Sequence, residues 1–158
     1  MSFEVYLQKF AAGQPAEVNR DSVNAVLRTQ EFTGPDDFGF YTVKFSDGVD
    51  VELSAKGLNG AARFTGCAFH IHSMSPHLLK FILEVAKAGD MVVLPLMEDL
   101  VPILSSPEQK QELPSHFAQG SPEPVFCEST AELGALLSRG YDGWQNYRNQ
   151  ILNKRRSV

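Results

Sequence analysis

The chain has 158 residues, of which 43% are hydrophobic and 21% are charged, and its formal net charge at pH 7 is −5. This length and composition are typical of one ordinary globular domain and exclude a largely disordered chain. The acidic balance argues against bulk attraction to nucleic acid or to an anionic membrane, although it suits a basic protein partner.

The sequence also indicates in which cellular compartment the protein resides. No run approaches the roughly 20 apolar residues that a membrane-spanning helix needs. The opening segment MSFEVYLQKF lacks the basic and apolar regions of a signal peptide. Cys67 and Cys127 lie in apolar runs without C-x-x-C spacing, which favours buried, reduced thiols. We therefore predict a cytoplasmic protein with neither a membrane segment nor a nucleic-acid partner.

The first predicted elements are a strand and a short helix. Residues 3–8, FEVYLQ, alternate between apolar and polar side chains, as a half-buried strand does. Residues 11–19 are predicted to form a loop. A helix follows, capped by Asn19 or Asp21 and ending near Gln30. The segment TGPDDFG, residues 33–39, then interrupts regular structure.

Three strands predicted over residues 40–72 form a meander. FYTVKF and VDVELS flank the turn Ser46-Asp47-Gly48, and a looser turn at Asn59-Gly60 leads to RFTGCAFHIH. Side chains alternate between the two faces of a strand, so each residue can be assigned to a face. The inward face is predicted to hold Tyr41, Val43, Phe45, Val49, Val51, Leu53, Cys67, Phe69 and Ile71; the outward, hydrated face holds Thr42, Lys44, Asp50, Glu52, His70 and His72.

The second half of the chain alternates helices and short strands. Ser75 is the predicted N-cap of a helix that Gly89 ends. The run MVVLPL, residues 91–96, predicts a buried strand parallel to the one before the helix, with VPIL at 101–104 pairing beside it. The remaining predictions are a helix from Ser106-Pro107, a strand in PVFC at 124–127, a helix capped by Ser129–Glu132, and a final helix capped by Asp142 and ending near Asn153.

Together these elements predict a two-layer α+β fold. We expect a mixed, largely antiparallel sheet of five to seven strands, with helices packed on one face and the other face of the meander partly open. Residues 1–158 are predicted to form a single domain, in which 154–158 are a frayed tail.

The pair His70-x-His72 is the sharpest candidate for chemistry. Two histidines spaced by two on a strand point to one side and can share a metal ion. A zinc-dependent, hydrolase-like site would need a third ligand from Asp50, Glu52 or Asp47. The alternative is that both imidazoles lie on a hydrated sheet face and pair with carboxylates across strands. We predict the second arrangement, with no cofactor and no catalytic residues.

Two surfaces are candidates for binding a partner. Asp36, Asp37, Asp47, Asp50 and Glu52 form an acidic cluster at one end and on one face of the meander. A solvated face explains this cluster, and the alternative is a docking surface that attracts a basic protein partner. Near the C-terminus, Trp144, Tyr147, Arg148 and Ile151 recur at helical spacing. Docking onto the body of the protein explains this stripe. Because Trp, Tyr and Arg are typical interface anchors, a partner surface or a homodimer contact is the alternative.

The opening MSFEVYLQKF, the AAGQP loop, MVVLP and the later LPSHF resemble a family of small, functionally uncharacterised bacterial proteins. Members of that family begin with a strand of the pattern MSF-[DE]-[VI]-YLQ. The resemblance implies a bacterial, cytosolic, single-domain protein, and it brings no catalytic residues with it.

The function predicted from the sequence is therefore a non-enzymatic interaction or regulatory protein. An immunity-type binder of a basic partner would use Asp47, Asp50 and Glu52. The alternatives are a metal-dependent, hydrolase-like enzyme that uses His70, His72 and a meander carboxylate, and a homo-oligomeric scaffold joined through the Trp144 helix.

Overall fold

The computed structural model describes residues 2–60, 62–97, 100–119 and 123–156. The strands within these residues are β1 (Phe3–Gln8), β2 (Phe10–Ala11), β3 (Gln14–Pro15), β4 (Glu31–Thr33), β5 (Phe40–Lys44), β6 (Asp50–Ser54), β7 (Gly66–Ile71), β8 (Val92–Pro95), β9 (Ile103–Leu104) and β10 (Val125–Phe126). The helices are α1 (Arg20–Leu27), α2 (Pro76–Ala88), a 3₁₀ helix (Pro107–Glu112), α3 (Ser115–Ala118) and α4 (Thr130–Arg156).

In the described part of the chain, eight strands form one sheet in the order β10-β9-β8-β1-β7-β6-β5-β4. β9 and β10 run parallel, and all other neighbours in this sheet are antiparallel. The meander is confirmed as β5, β6 and β7. The sheet exceeds the expected five to seven strands because β4 adds to its edge, and its three residues are too few for an alternation to be recognised. Residues 11–19, expected to be a loop, contain part of the separate β2–β3 hairpin.

The crossover through α2 places β8 parallel to β7, as predicted, with β1 between them. β1 pairs antiparallel with both neighbours, Val5 lying opposite Phe69 on one side and Pro95 on the other. Pro95 is the last residue of β8, and Pro102 lies just before β9, so the missing N–H groups fall at strand ends. Ser75 caps α2 as expected, its side chain accepting a hydrogen bond of 3.2 Å from the Leu78 N–H.

The helices α1, α2 and α4 pack on one face of the sheet and enclose the main core, so the two-layer α+β prediction is confirmed. β1, α1, α2 and α4 all contribute to this core, which includes Phe3, Val5, Leu7, Val23, Leu27, Phe69, Leu78, Ile82, Leu133 and Leu137. A smaller cluster lies on the other face, at the β8–β9 end, where Leu113 and Phe117 pack against Val92, Leu94 and Leu104. That face is therefore covered at one end by the 3₁₀ helix and α3.

The C-terminal region departs from prediction. The two expected helices are one continuous helix, α4, and Asp142 lies inside it, so the prediction that Asp142 caps a separate helix was wrong. Gly140 packs so closely on the Phe3 ring that a Cβ would lie 3.2 Å from it, and Tyr141 meets the same ring edge-on at 6.1 Å. Packing on Phe3 offsets the cost of about 1 kcal/mol for glycine inside a helix. The helix continues to Arg156, and residues 157 and 158 of the predicted tail lie outside the description.

None of the helices within the described ranges is long and apolar enough to cross a membrane.

Candidate functional site

The face of the sheet turned away from α1, α2 and α4 is uncovered over β1 and β4–β7, and we call this region the open face. Its side chains alternate with core residues, as the sequence predicted: Phe69 and Ile71 are fully buried, whereas His70 between them lies on the open face. The open face presents Glu4 and Tyr6 from β1, His70 from β7, Asp50 and Glu52 from β6, and Phe40, Thr42 and Lys44 from β5.

A chain of three polar side chains crosses β1 and β7. The Tyr6 hydroxyl donates a 2.7 Å hydrogen bond to Glu4 Oε2, and Glu4 Oε1 lies 3.2 Å from His70 Nδ1. The expectation that His70 pairs with a carboxylate across strands is confirmed. Its partner comes from β1, not from the meander carboxylates considered in the sequence. The pKa of Tyr6 is raised above its ordinary value, chiefly by the hydrogen bond to Glu4 and to a smaller extent by partial burial.

The other imidazole nitrogen of His70 is closed off from solvent. Nε2 is buried and has no hydrogen-bond partner within the described residues, and the Phe40 ring lies 5.6 Å from the imidazole, centroid to centroid. The two nitrogens of His70 thus differ: Nδ1 contacts Glu4, and Nε2 is buried.

The described residues do not form the ligand set that the predicted zinc site would need. Across the described residues, no three His, Cys, Asp or Glu side chains are grouped so that they could hold a metal ion. His70 is committed to Glu4 through Nδ1. His72 follows β7 and is exposed, and Asp50 is exposed opposite Lys44 on β5. The structure therefore does not join His70, His72 and Asp50 in one coordination sphere.

The predicted acidic cluster is divided among three places: β6, the β5–β6 turn, and the connection between β4 and β5, which contains Asp36 and Asp37. Asp50 and Glu52 share the open face of β6, and Glu52 lies in register with His70 on one side and Thr42 on the other. Asp47 instead lies in the β5–β6 turn, where it accepts a 3.1 Å hydrogen bond from the Val49 N–H. The Ser75 hydroxyl at the start of α2, by hydrogen bonding to Asp47, holds the pKa of that carboxyl below its ordinary value, and the Val49 amide and the nearby His77 add to the effect.

The connection between β4 and β5, residues 34–39, is a structured loop that we call the Phe38 loop. The Asp36 carboxylate accepts hydrogen bonds of 2.9 Å from the N–H groups of Phe38 and Phe40, and the Asp36 N–H donates to the Phe40 carbonyl at 3.0 Å. Gly34 has φ +110°, and a Cβ there would lie 2.6 Å from the Phe40 oxygen, so only glycine fits. This bonding holds Phe38 in place with 81% of its surface exposed.

A cavity of about 570 Å³ opens between the Phe38 loop and the open face. It is lined by Thr33, Gly34, Asp36, Phe38, Phe40, Thr42 and Glu52. The sequence analysis included Asp36 and Glu52 in an acidic cluster but missed the aromatic rings beside them. The signal that could have found them is TGPDDFGF itself, in which two phenylalanines flank a glycine inside a turn-rich segment.

The second predicted surface is only partly described. Trp144, Tyr147 and Arg148 belong to α4, but their side chains lie outside the described part of the structure. Partner binding or dimerisation through this helix stays a prediction.

No protein-family model matches the chain, and no curated protein or solved structure matches it either. The resemblance to small bacterial proteins that begin with an MSF-[DE]-[VI]-YLQ strand stays a prediction for the same reason.

Proposed function

We propose that this protein is a non-catalytic binding protein whose open face docks a basic protein partner. The observation that carries the proposal is the combination, on one uncovered surface, of exposed aromatic rings and unpaired carboxylates. Tyr6 is 40% exposed and Phe38 is 81% exposed. Glu52 and Asp50 lie on the strand between them, and neither forms an ion pair within the described residues.

The residue types on this surface are those of protein interfaces. Aromatic side chains supply a large contact area at low entropic cost, and they are enriched at the centres of interfaces. Lys44 is flanked in register by Glu31 and Asp50, so acidic groups predominate around it. Together with the net charge of −5, these carboxylates would steer a positively charged partner toward the open face and raise its association rate.

Site-specific photo-cross-linking in the native host tests the proposal. A photoreactive phenylalanine analogue replaces Phe38, which is exposed and aromatic already, so the fold is preserved. The matched control carries the same analogue at Lys80, which is exposed on α2 on the opposite side of the sheet. We expect a discrete adduct with a basic protein from position 38 and none from position 80. Equal labelling from both positions, or labelling of acidic proteins only, would contradict the proposal.

Charge reversal provides the second arm. Asp50→Lys with Glu52→Lys is expected to abolish the adduct from position 38. A control with the same change in charge, Glu84→Lys with Asp142→Lys on the helical layer, is expected to leave the adduct intact. Circular dichroism establishes that both double variants are folded. If the two variants lose the adduct equally, net charge is responsible and the open face is not the docking surface.

A further inference from the structure

We infer that the cavity beside the Phe38 loop binds the guanidinium group of an arginine side chain on the partner protein. This inference rests on the proposed function and identifies the chemical group that the open face recognises. It adds a defined subsite to a surface that would otherwise be characterised by charge alone.

The polar groups in the cavity wall can all accept hydrogen bonds. The Asp36 and Glu52 carboxylates are acceptors, and the hydroxyls of Thr33 and Thr42 can accept as well as donate. Lysine, arginine and histidine are absent from the residues that line the cavity in the described structure. A ligand that presents several donors and a positive charge therefore complements this wall, whereas the Asp36 and Glu52 carboxylates would repel an anion.

The apolar part of the wall favours arginine over other cations. Phe38 and Phe40 contribute aromatic rings to the cavity wall. A planar guanidinium can stack on such a ring while its N–H groups contact a carboxylate. The Asp36 Oδ1 atom already accepts two backbone N–H groups, so the Glu52 carboxylate is the group available for a paired, charge-assisted contact. A lysine ammonium is a compact, strongly hydrated charge that cannot form the same flat stack.

The size of the cavity is consistent with this occupant. Its volume of about 570 Å³ falls within the range of roughly 300–1,000 Å³ that is typical of ligand sites. The Phe38 loop is held by four hydrogen bonds between Asp36 and the Phe38–Phe40 segment, so one wall is formed before the ligand arrives. A site that is already formed loses less entropy on binding.

Titration with a short peptide tests the inference on the whole chain. The probe is acetyl-Gly-Arg-Gly-amide, compared with the same peptide carrying citrulline, which keeps the shape and loses the charge, or lysine. Binding is followed by two-dimensional ¹⁵N NMR. We expect saturable shifts at the amides of Thr33, Phe38, Phe40 and Thr42 with the arginine peptide, weaker shifts with lysine, and none with citrulline. Equal shifts with citrulline, or shifts confined to other residues, would overturn the inference.

Two variants locate the contact. Glu52→Gln removes the charge from the cavity wall and is expected to weaken arginine binding by about tenfold, as the loss of a charge-assisted pair does. Glu31→Gln removes the same charge from β4, at a position outside the cavity, and is expected to change affinity by less than about twofold. Phe38→Leu is expected to weaken binding by about threefold through loss of stacking. Equal effects of Glu52→Gln and Glu31→Gln would show that only general charge attraction operates.

The inference and the proposed function can fail separately. Arginine-specific shifts in the cavity, without a cross-linked partner from position 38, would remove the proposed function and leave the subsite. The opposite outcome is a basic partner that cross-links equally well to Glu52→Gln and to the unmodified protein, together with no arginine-specific NMR shifts. This outcome would contradict the subsite and leave the proposed function standing.

Discussion

The anchoring of the loop after β6 by Arg20 gives a prediction whose size follows from the structure. Arg20 Nε donates a 2.7 Å hydrogen bond to the Gly57 carbonyl, and its Nη2 donates to the Ala62 carbonyl. The same loop supports the Phe38 loop, because the Ala55 N–H donates to the Gly39 carbonyl at 3.1 Å. We expect Arg20→Ala to release this loop and to destabilise the protein.

The magnitude can be worked out from these two bonds. A hydrogen bond to a charged group contributes about 1.5–3 kcal/mol when it is well buried. Both bonds of Arg20 are only partly buried, so we expect a total loss of about 2 kcal/mol in the free energy of unfolding. With a urea dependence of about 2 kcal/mol per molar, the unfolding midpoint should fall by about 1 M. Arg20→Lys keeps the positive charge but loses the two separate N–H donors of the guanidinium. Its unfolding midpoint should therefore lie between those of the unmodified protein and Arg20→Ala.

Urea unfolding followed by circular dichroism measures this shift, and Arg63→Ala is the matched control. Arg63 contacts Glu17 at 3.5 Å, but the two side chains are 61% and 71% exposed. An exposed ion pair of this kind contributes less than about 1 kcal/mol, so the control should move the midpoint by less than about 0.5 M. If Arg63→Ala and Arg20→Ala shift the midpoint equally, the reasoning from the partly buried carbonyl contacts of Arg20 is refuted.

Three further predictions concern titratable groups and a helix cap. Ser75→Ala should lower the free energy of unfolding by about 1 kcal/mol, which urea unfolding measures. The same change should raise the pKa of Asp47 toward its ordinary value, which NMR titration measures. An unchanged Asp47 pKa would contradict the hydrogen bond between Ser75 and Asp47. Glu4→Ala should lower the pKa of Tyr6 toward about 10 in an ultraviolet titration, and a titration unaffected by the change would contradict the hydrogen bond. Burial raises the pKa of the Cys67 thiol to about 12, above its unfolded value of about 8.5, so the folded state holds the proton more tightly. The stabilising effect of the protonated thiol is complete below pH ~8.5 and is lost as pH rises toward 12. Between pH 8 and 10, the free energy of unfolding should therefore fall less steeply with pH in Cys67→Ala than in the unmodified protein. Equal slopes in the two proteins would refute this prediction.

Much of the fold followed from local patterns in the sequence. The alternation around Phe69, His70 and Ile71 assigned each side chain to the correct face because Phe69 and Ile71 point into the main core and His70 points to the opposite face. Ser75 and Pro76 marked the start of α2 through chemistry that acts within a single helical turn. In both cases the interaction that determines the structure lies within a few residues of the residues that predict it.

What the sequence did not predict depends on contacts between distant segments. Glu4 meets His70 only because β1 inserts beside β7, and no local spacing reports that pairing. The helix expected to restart at Asp142 runs continuously past this residue, and Gly140 within it packs on Phe3, which lies far away in the sequence. The cavity was missed for a related reason: its acidic and aromatic groups come from a loop and from two strands, and only the fold brings them together.

The position of β1 has a consequence for how the chain assembles. β1 joins the β4–β7 half of the sheet to the β8–β10 half, and its neighbours come from residues 66–71 and 92–95. During synthesis, Phe3, Val5 and Leu7 leave the ribosome before β7 and β8, and both of these neighbours exist only once Pro95 has emerged. Pairings between such distant residues carry a large loop-closure cost and form slowly. β1 is thus made before both of its partners and is fully paired only after them, and until then its apolar side chains are open to association with other newly made chains.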